Sequence, residues 1–254
     1  DDLLRLIFTC CHPALASEAQ VALTLNTLCG LQVDEIARAF LVPPATMAQR
    51  LVRAKRKIRA THIPYVVPSV NDMPERLGAV LTVIYLVFNE GYASTRGALV
   101  RTDLSAEAIR LGRLLRTLLS PQTPGEVTAL VALMLLHDAR REARLDGSGD
   151  IITLEDQDRR LWNQEQIAEA VPLVEESLRS GPGPYAIQAA IAALHCQSPR
   201  AEDTDWRQIV ALYGSLETIQ PSPPVALKRA AALAMAEGPS AVLEIIDQLS
   251  ACND

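Results

Sequence analysis

DEIARAFLVPPATMAQRLVRAKRKIR, residues 34–59, is the stretch on which the reading of this chain turns. Its first part is a short amphipathic run that places Ile36, Ala37 and Phe40 on one face. Leu41-Val42-Pro43 interrupts that run, and Pro44 suits the first turn of a new helix predicted to reach Arg59 or Ala60. At about 100° per residue, Met47, Leu51, Ala54 and Ile58 gather on one side, where they can pack against Ile36, Ala37 and Phe40. Thr46, Gln49, Arg50, Arg53 and Lys57 gather on another side and are predicted to face outward. A short helix, a tight turn and a longer second helix make a helix-turn-helix, whose second helix enters the major groove of DNA.

The outward face has the composition that reading DNA requires. Arg pairs bidentately with guanine, Gln with adenine, and Thr reaches a base edge or a thymine methyl. Six of the ten residues from Arg50 to Arg59 are basic. Lys55, Arg56 and Arg59 lie beyond the base-reading face, where phosphates flanking the groove would meet them. The competing reading is a solvated cationic helix end that suits the helix dipole. A consistent apolar inner face behind a helix-turn signature favours DNA.

Upstream, Leu3–Cys11 reads as a helix ended by His12-Pro13. Ser17-Glu18-Ala19-Gln20 has the form of a capping box opening a helix to about Cys29, with Gly30 as its C-cap. Gln32 stands where a Ser or Thr N-cap is commoner, so the helix that follows is expected to be less well capped. Downstream, IPYVVPSVNDM (63–73) has two prolines and no helical period, and reads as a linker. Helices are predicted at Pro74–Asn89, Leu104–Leu119 and Glu126–Leu145, followed by a turn at Asp146–Asp150. Ile151–Leu154 is expected to pair back on Arg144-Leu145 as a small hairpin. Five more helices are predicted: Trp162–Ser180, Pro184–Gln197, Trp206–Gln220, Pro224–Glu237 and Pro239–Ala251. The starts at Pro184 and Pro224 are forty residues apart, each after a helix that ends in a Pro/Gly/Ser turn. That spacing points to stacked helical hairpins of tetratricopeptide type. The expected organisation is a helix-turn-helix domain (1–62), a linker (63–73), a helical extension (74–160) and tetratricopeptide-like repeats (161–254).

Composition agrees with an all-α protein. Of 254 residues 49% are hydrophobic, 21% charged and only 4% aromatic, a mix that favours helices over sheet. Residues 1–62 carry eight Lys/Arg against five Asp/Glu, a net of +3, whereas the remainder carries sixteen against twenty-five, a net of −9. A basic head on an acidic body implies that the head alone meets a polyanion. No apolar run has the length of a membrane span, and no leader precedes Asp1, so a cytoplasmic piece of a longer protein is expected. The five cysteines are odd in number and lack CxxC spacing, as reduced thiols would be. Zinc held by Cys10, Cys11, His12 and Cys29 is disfavoured because adjacent ligands fit a tetrahedron poorly.

In the acidic part, Glu90-Gly91 reads as a helix C-cap with Gly91 in the left-handed region. His137-Asp138 reads as a surface pair beside Arg140 and Arg141, since the chain holds only His12, His62 and His195 besides. The acids at Glu155, Asp156 and Asp158 are expected to bridge to Arg140, Arg141 or Arg144, and the loop before them fails as a calcium site. With no Gly-rich phosphate loop and no nucleophile–base pairing, neither an enzyme nor a cofactor is expected. Stacked helices then leave a binding role, with a regulatory protein as the expected partner of the array.

IARAFLVPPATMAQRLVRAKRKIR (36–59), with LIFTCCHPAL (6–15) upstream, resembles region 4 of bacterial extracytoplasmic-function sigma factors. More specifically, it resembles the subgroup with a long tetratricopeptide-like C-terminal extension. AVLTVIYLVFNEGY (79–92), DLSAEAIRLGRLL (103–115), LMLLHDARREAR (133–144), TLEDQDRRLW (153–162), GPYAIQAAIAALH (183–195) and AEDTDWRQIVALY (201–213) carry that part of the likeness. The resemblance implies binding to the upstream promoter element and docking on core RNA polymerase, with the helices that read the minus-ten element lying before Asp1. An alternative reading, from the residues alone, is a helical interaction scaffold whose helix-turn-helix does not function.

Overall fold

The computed structural model describes residues 1–92, 99–238 and 240, with side chains of the second stretch described from Leu104. Among the described residues there are eleven α-helices and no strand, only an isolated bridge between Leu145 and Ile151. The chain divides into two compact units, 1–123 and 124–254. The predicted all-α class is the observed one.

The first unit holds α1 (Asp2–Cys10), α2 (Ser17–Thr27), α3 (Val33–Ala39), α4 (Pro44–Ala60), α5 (Met73–Tyr92) and α6 (Leu99–Leu118). Ser17 is the first residue of α2 and caps nothing; Ala16 occupies the cap position. The expected capping box is therefore absent, and Gln20 works in the opposite direction. Its Nε2 donates to the carbonyls of His12 at 2.8 Å and Cys11 at 3.4 Å, just past the end of α1. Helix α1 has no basic residue in its last turn, and Arg76 of α5 supplies one by donating to the Phe8 carbonyl at 2.7 Å. The contact from Arg76 satisfies a carbonyl that a helix end leaves without a partner.

The prolines of 63–73 do not make a free linker. Ile63 is buried, and the Tyr65 hydroxyl donates to the Asp2 carbonyl at 2.8 Å. The segment folds back along α1 and delivers α5 to the face formed by α1 and α2. Val80, Val83, Val87 and Phe88 of α5 are completely buried. Each such side chain contributes roughly 1.5–3 kcal/mol through burial. Because α5 is apolar on more than one side, α6 covers what α1 and α2 leave exposed. The compact unit that contains this head extends to Thr123. Gly91 is buried within α5, and its backbone is not left-handed, so the expected C-cap at Glu90-Gly91 does not form.

The second unit is built on α7 (Gly125–Asp138), in which every residue from Val127 to Leu136 is buried. A helix apolar all round must be covered on all sides. Here α8 (Gln164–Arg179) and α9 (Pro184–Gln197) do so; α10 (Trp206–Ile219) packs on α9 and α11 (Pro223–Glu237) on α10. Helix α7 stops at Asp138 instead of running to Leu145, and a 3-10 turn at Arg141–Ala143 follows. The predicted hairpin is present: Ile152 N–H donates to the Arg144 carbonyl at 2.8 Å, and Asp146 N–H to that of Asp150 at 2.9 Å. Helix α9 has glycine at its cap position and proline in its first turn, neither offering a capping side chain. Glu126 of α7 provides it, accepting from the N–H groups of Tyr185 at 2.9 Å and Ala186 at 3.0 Å. The helix predicted at Pro239–Ala251 lies outside the described residues.

Candidate nucleic-acid interface

Helix α3 is short and rests on a cap the sequence understated. Gln32 offers little as an N-cap, but the Glu35 carboxylate three residues on accepts from the Gln32 N–H at 2.7 Å. The carboxylate also lies at the positive end of the helix dipole. The turn that follows is closed by Leu41 N–H to the Arg38 carbonyl at 3.3 Å and Val42 N–H to that of Ala37 at 3.0 Å. Leu41 takes the left-handed conformation, φ 52°, with its side chain in solvent. Pro43 then accepts from Thr46 and Met47, which starts α4 where the sequence predicts it.

Met47, Leu51 and Ala54 are buried, as are Ile36 and Ala37 of α3. Ile58 and Phe40 are only half-buried, so the apolar seam is tighter in the first three turns of α4 than at its end. Thr46, Gln49, Arg53, Lys55, Arg56, Lys57 and Arg59 are all exposed. Thr46, Gln49, Arg50, Arg53 and Lys57 lie together along one open groove of about 290 Å³, whose other wall is Leu15, Ala16 and Ala19. Seventeen residues give the helix a length of about 25 Å. Lys57 and Arg59 occupy its last turn, where the helix dipole favours cations.

Arg50 stands apart from this set. It is half-buried, with one guanidinium nitrogen 3.0 Å from Glu18 Oε2, at the start of α2. Lys55 is also tethered, its Nζ donating to Asn26 Oδ1 at 3.4 Å. Neither partner was legible from the period of α4, because Glu18 and Asn26 belong to another helix.

Residues 5–58 match the model of sigma-70, region 4. The region 4 domain thus spans α1 to α4, with α4 as the second helix of its helix-turn-helix. Residues 76–178 match a family of unknown function, DUF6596, which begins in α5 and ends in α8. An uncharacterized protein of Rhizobium meliloti (strain 1021) is 51% identical over 251 residues, covering 98% of this chain. The chain spans 59% of that relative's length. No solved structure matches the chain.

Outside region 4, the polar clusters sit differently from their expected places. His137-Asp138 is not a free surface pair. Asp138 holds Arg141 through Oδ1 and accepts from Gln166 Nε2 at 3.0 Å through Oδ2, while His137 Nδ1 lies 2.9 Å from Arg140. Asp158 does not reach Arg140, Arg141 or Arg144; it pairs with Arg160 at 2.7 Å, which holds its carboxyl down at about 2. Burial pushes the Cys10 and Cys11 thiols up to about 11 and about 12, and the four described cysteines are unpaired. Among the described residues no three His, Cys, Asp or Glu side chains gather as a metal would need, and no helix is long and apolar enough to cross a membrane.

Proposed function

We propose that the protein carries region 4 of an extracytoplasmic-function sigma factor, in which α4 reads the upstream promoter element. The observation that carries this reading is the exposed Thr46, Gln49 and Arg53 face of α4, set on a region 4 helix-turn-helix with a buried Met47-Leu51-Ala54 seam behind it. Gln49 and Arg53 have the donors and acceptors that distinguish base edges in the major groove. Lys55, Arg56 and Arg59 neutralise the flanking phosphates and set the register of the helix on the duplex. Arg50, held by Glu18, orients the start of the reading helix and meets DNA only through the part of its guanidinium left in the groove.

In this reading, core RNA polymerase is the protein partner of region 4, and the site of action is the cytoplasm. The second unit is a non-enzymatic, tetratricopeptide-like array that binds a regulatory protein and adjusts promoter use in place of a separate anti-sigma protein. Its support is the sequential packing of α7 to α11, which gives each helix pair a surface continuous with the next. The test is transcription by the intact factor with core polymerase on a cognate promoter. Gln49→Ala with Arg53→Ala is expected to lower initiation about 30-fold or more with folding intact, since each base pair misread costs about 1–3 kcal/mol. Unchanged initiation refutes the role given to α4.

A further inference from the structure

The second unit holds two arginines, Arg140 buried and Arg159 half-buried, with which no described carboxylate forms an ion pair. Arg140 is only 8% exposed; one terminal nitrogen meets His137 Nδ1 at 2.9 Å, and its Nε is buried without a hydrogen-bond partner. The Arg159 guanidinium lies 4.5 Å from the centroid of the Trp162 ring, and that of Arg140 lies 6.0 Å from the same ring. Arg159 Nε and one of its terminal nitrogens are likewise buried and unpartnered. Two neutral donors share this condition: Trp162 Nε1, in a residue 3% exposed, and the Thr204 hydroxyl, in a residue 6% exposed.

The surrounding groups do not balance the charge. His195, enclosed by the protein and facing both guanidiniums, is pushed down to about 4 and is neutral at pH 7. Glu202 and Asp203 are felt by Arg159, but Arg200 engages them at 4.0 and 3.0 Å. Burying a cation without a partner costs several kcal/mol, and an unmet buried donor adds to that. Beside one buried acceptor without a partner, Gln157 Oε1, the surplus is of donors and of positive charge, which an anion with several acceptor oxygens would answer. An open cavity of about 410 Å³ between residues 155–160 and 199–202 has Arg159 in its wall, beside Arg160, Arg200 and the carboxylates of Glu155, Asp158 and Glu202, and opens Arg159 to solvent.

We propose that Arg140 and Arg159, with Trp162 Nε1 and the Thr204 hydroxyl, form a binding site for the phosphate or carboxylate group of a small molecule. The ligand would tie the loop before α8 to the loop before α10, and so would tune the shape of the array from within.

The test is thermal unfolding of the full chain in inorganic phosphate and, separately, in acetate, against sodium chloride at equal ionic strength. A saturable rise in the midpoint of about 5 °C or more is expected at one hundred times the dissociation constant. A rise with phosphate alone assigns a phosphorylated ligand, and a rise with both admits carboxylates. Arg159→Met, which keeps the stem on Trp162, is expected to abolish the rise. Should that variant not fold, Thr204→Val is expected to weaken phosphate binding several-fold, read by titration calorimetry. Absence of a saturable rise with either anion, or an equal rise in Arg159→Met, overturns the site.

Discussion

Replacing Glu126 by Ala is expected to loosen α9 at its start and to destabilise the second unit by about 2–4 kcal/mol. The magnitude follows from what the carboxylate does. Gly183 at the cap position and Pro184 in the first turn leave the first N–H groups of α9 without a local acceptor. Glu126 takes two of them, at 2.9 and 3.0 Å, and Ala186 is itself completely buried. A charge-assisted hydrogen bond contributes roughly 1.5–3 kcal/mol, a negative charge at a helix N-terminus adds up to about 1, and a buried N–H left unmet costs about 1–3. These overlap, so their sum is an upper bound. Gly183→Ala attacks the same contact from the other side, because its new methyl would sit 2.5 Å from Glu126 Cδ. The two substitutions are therefore coupled, and the double variant is expected to cost little more than the worse single one. Urea denaturation measures the loss, and amide exchange at Tyr185 and Ala186 locates it. A loss below about 0.5 kcal/mol, or unchanged exchange at those two amides, refutes the cap.

Two further outcomes follow from single contacts. Enclosure depresses His195 to about 4 and His137 well below the ordinary imidazole value of 6.5, so both are neutral when folded and take up protons on unfolding. The stability they confer is present above pH 6.5 and is lost as pH falls toward 4, by up to about 3 kcal/mol for His195; His195→Asn should flatten that dependence in a pH series of denaturation curves. Glu18→Ala frees Arg50 from its ion pair, with a stability change below about 1 kcal/mol because Glu18 is largely in solvent. Site selection by the variant is expected to return an altered base preference, and an unaltered one would show that Glu18 does not restrain Arg50 at the DNA.

The sequence carried the local part of this structure well. Pro44 and the Met47-Leu51-Ala54 spacing marked α4, and the Asp146–Asp150 turn marked the hairpin that joins Leu145 to Ile151, because each signal lies within a few residues of its effect. What it did not carry are contacts between distant helices. Arg76 capping the Phe8 carbonyl, Glu126 capping α9 and Glu18 holding Arg50 leave no period to read. The extent of the head was hidden for the same reason. Two prolines in 63–73 look like a linker until α5 is seen to need α1 and α2 to cover its apolar sides. His137-Asp138 was misplaced because a polar dipeptide at a helix end reads as solvated unless its partners, Gln166 and Arg140, are known to lie beside it.

In the proposed binding mode the cationic flank of α4 lies on phosphates while Gln49 and Arg53 meet bases. Each phosphate contact contributes about −0.9 to the slope of log K against log salt. Binding of the intact factor to its upstream element, measured across a salt series, should show that slope become shallower by about 2 in Arg56→Ala with Arg59→Ala. Discrimination against a scrambled element should survive in that variant. An unchanged slope, or a loss of discrimination with no change in slope, would refute that binding mode.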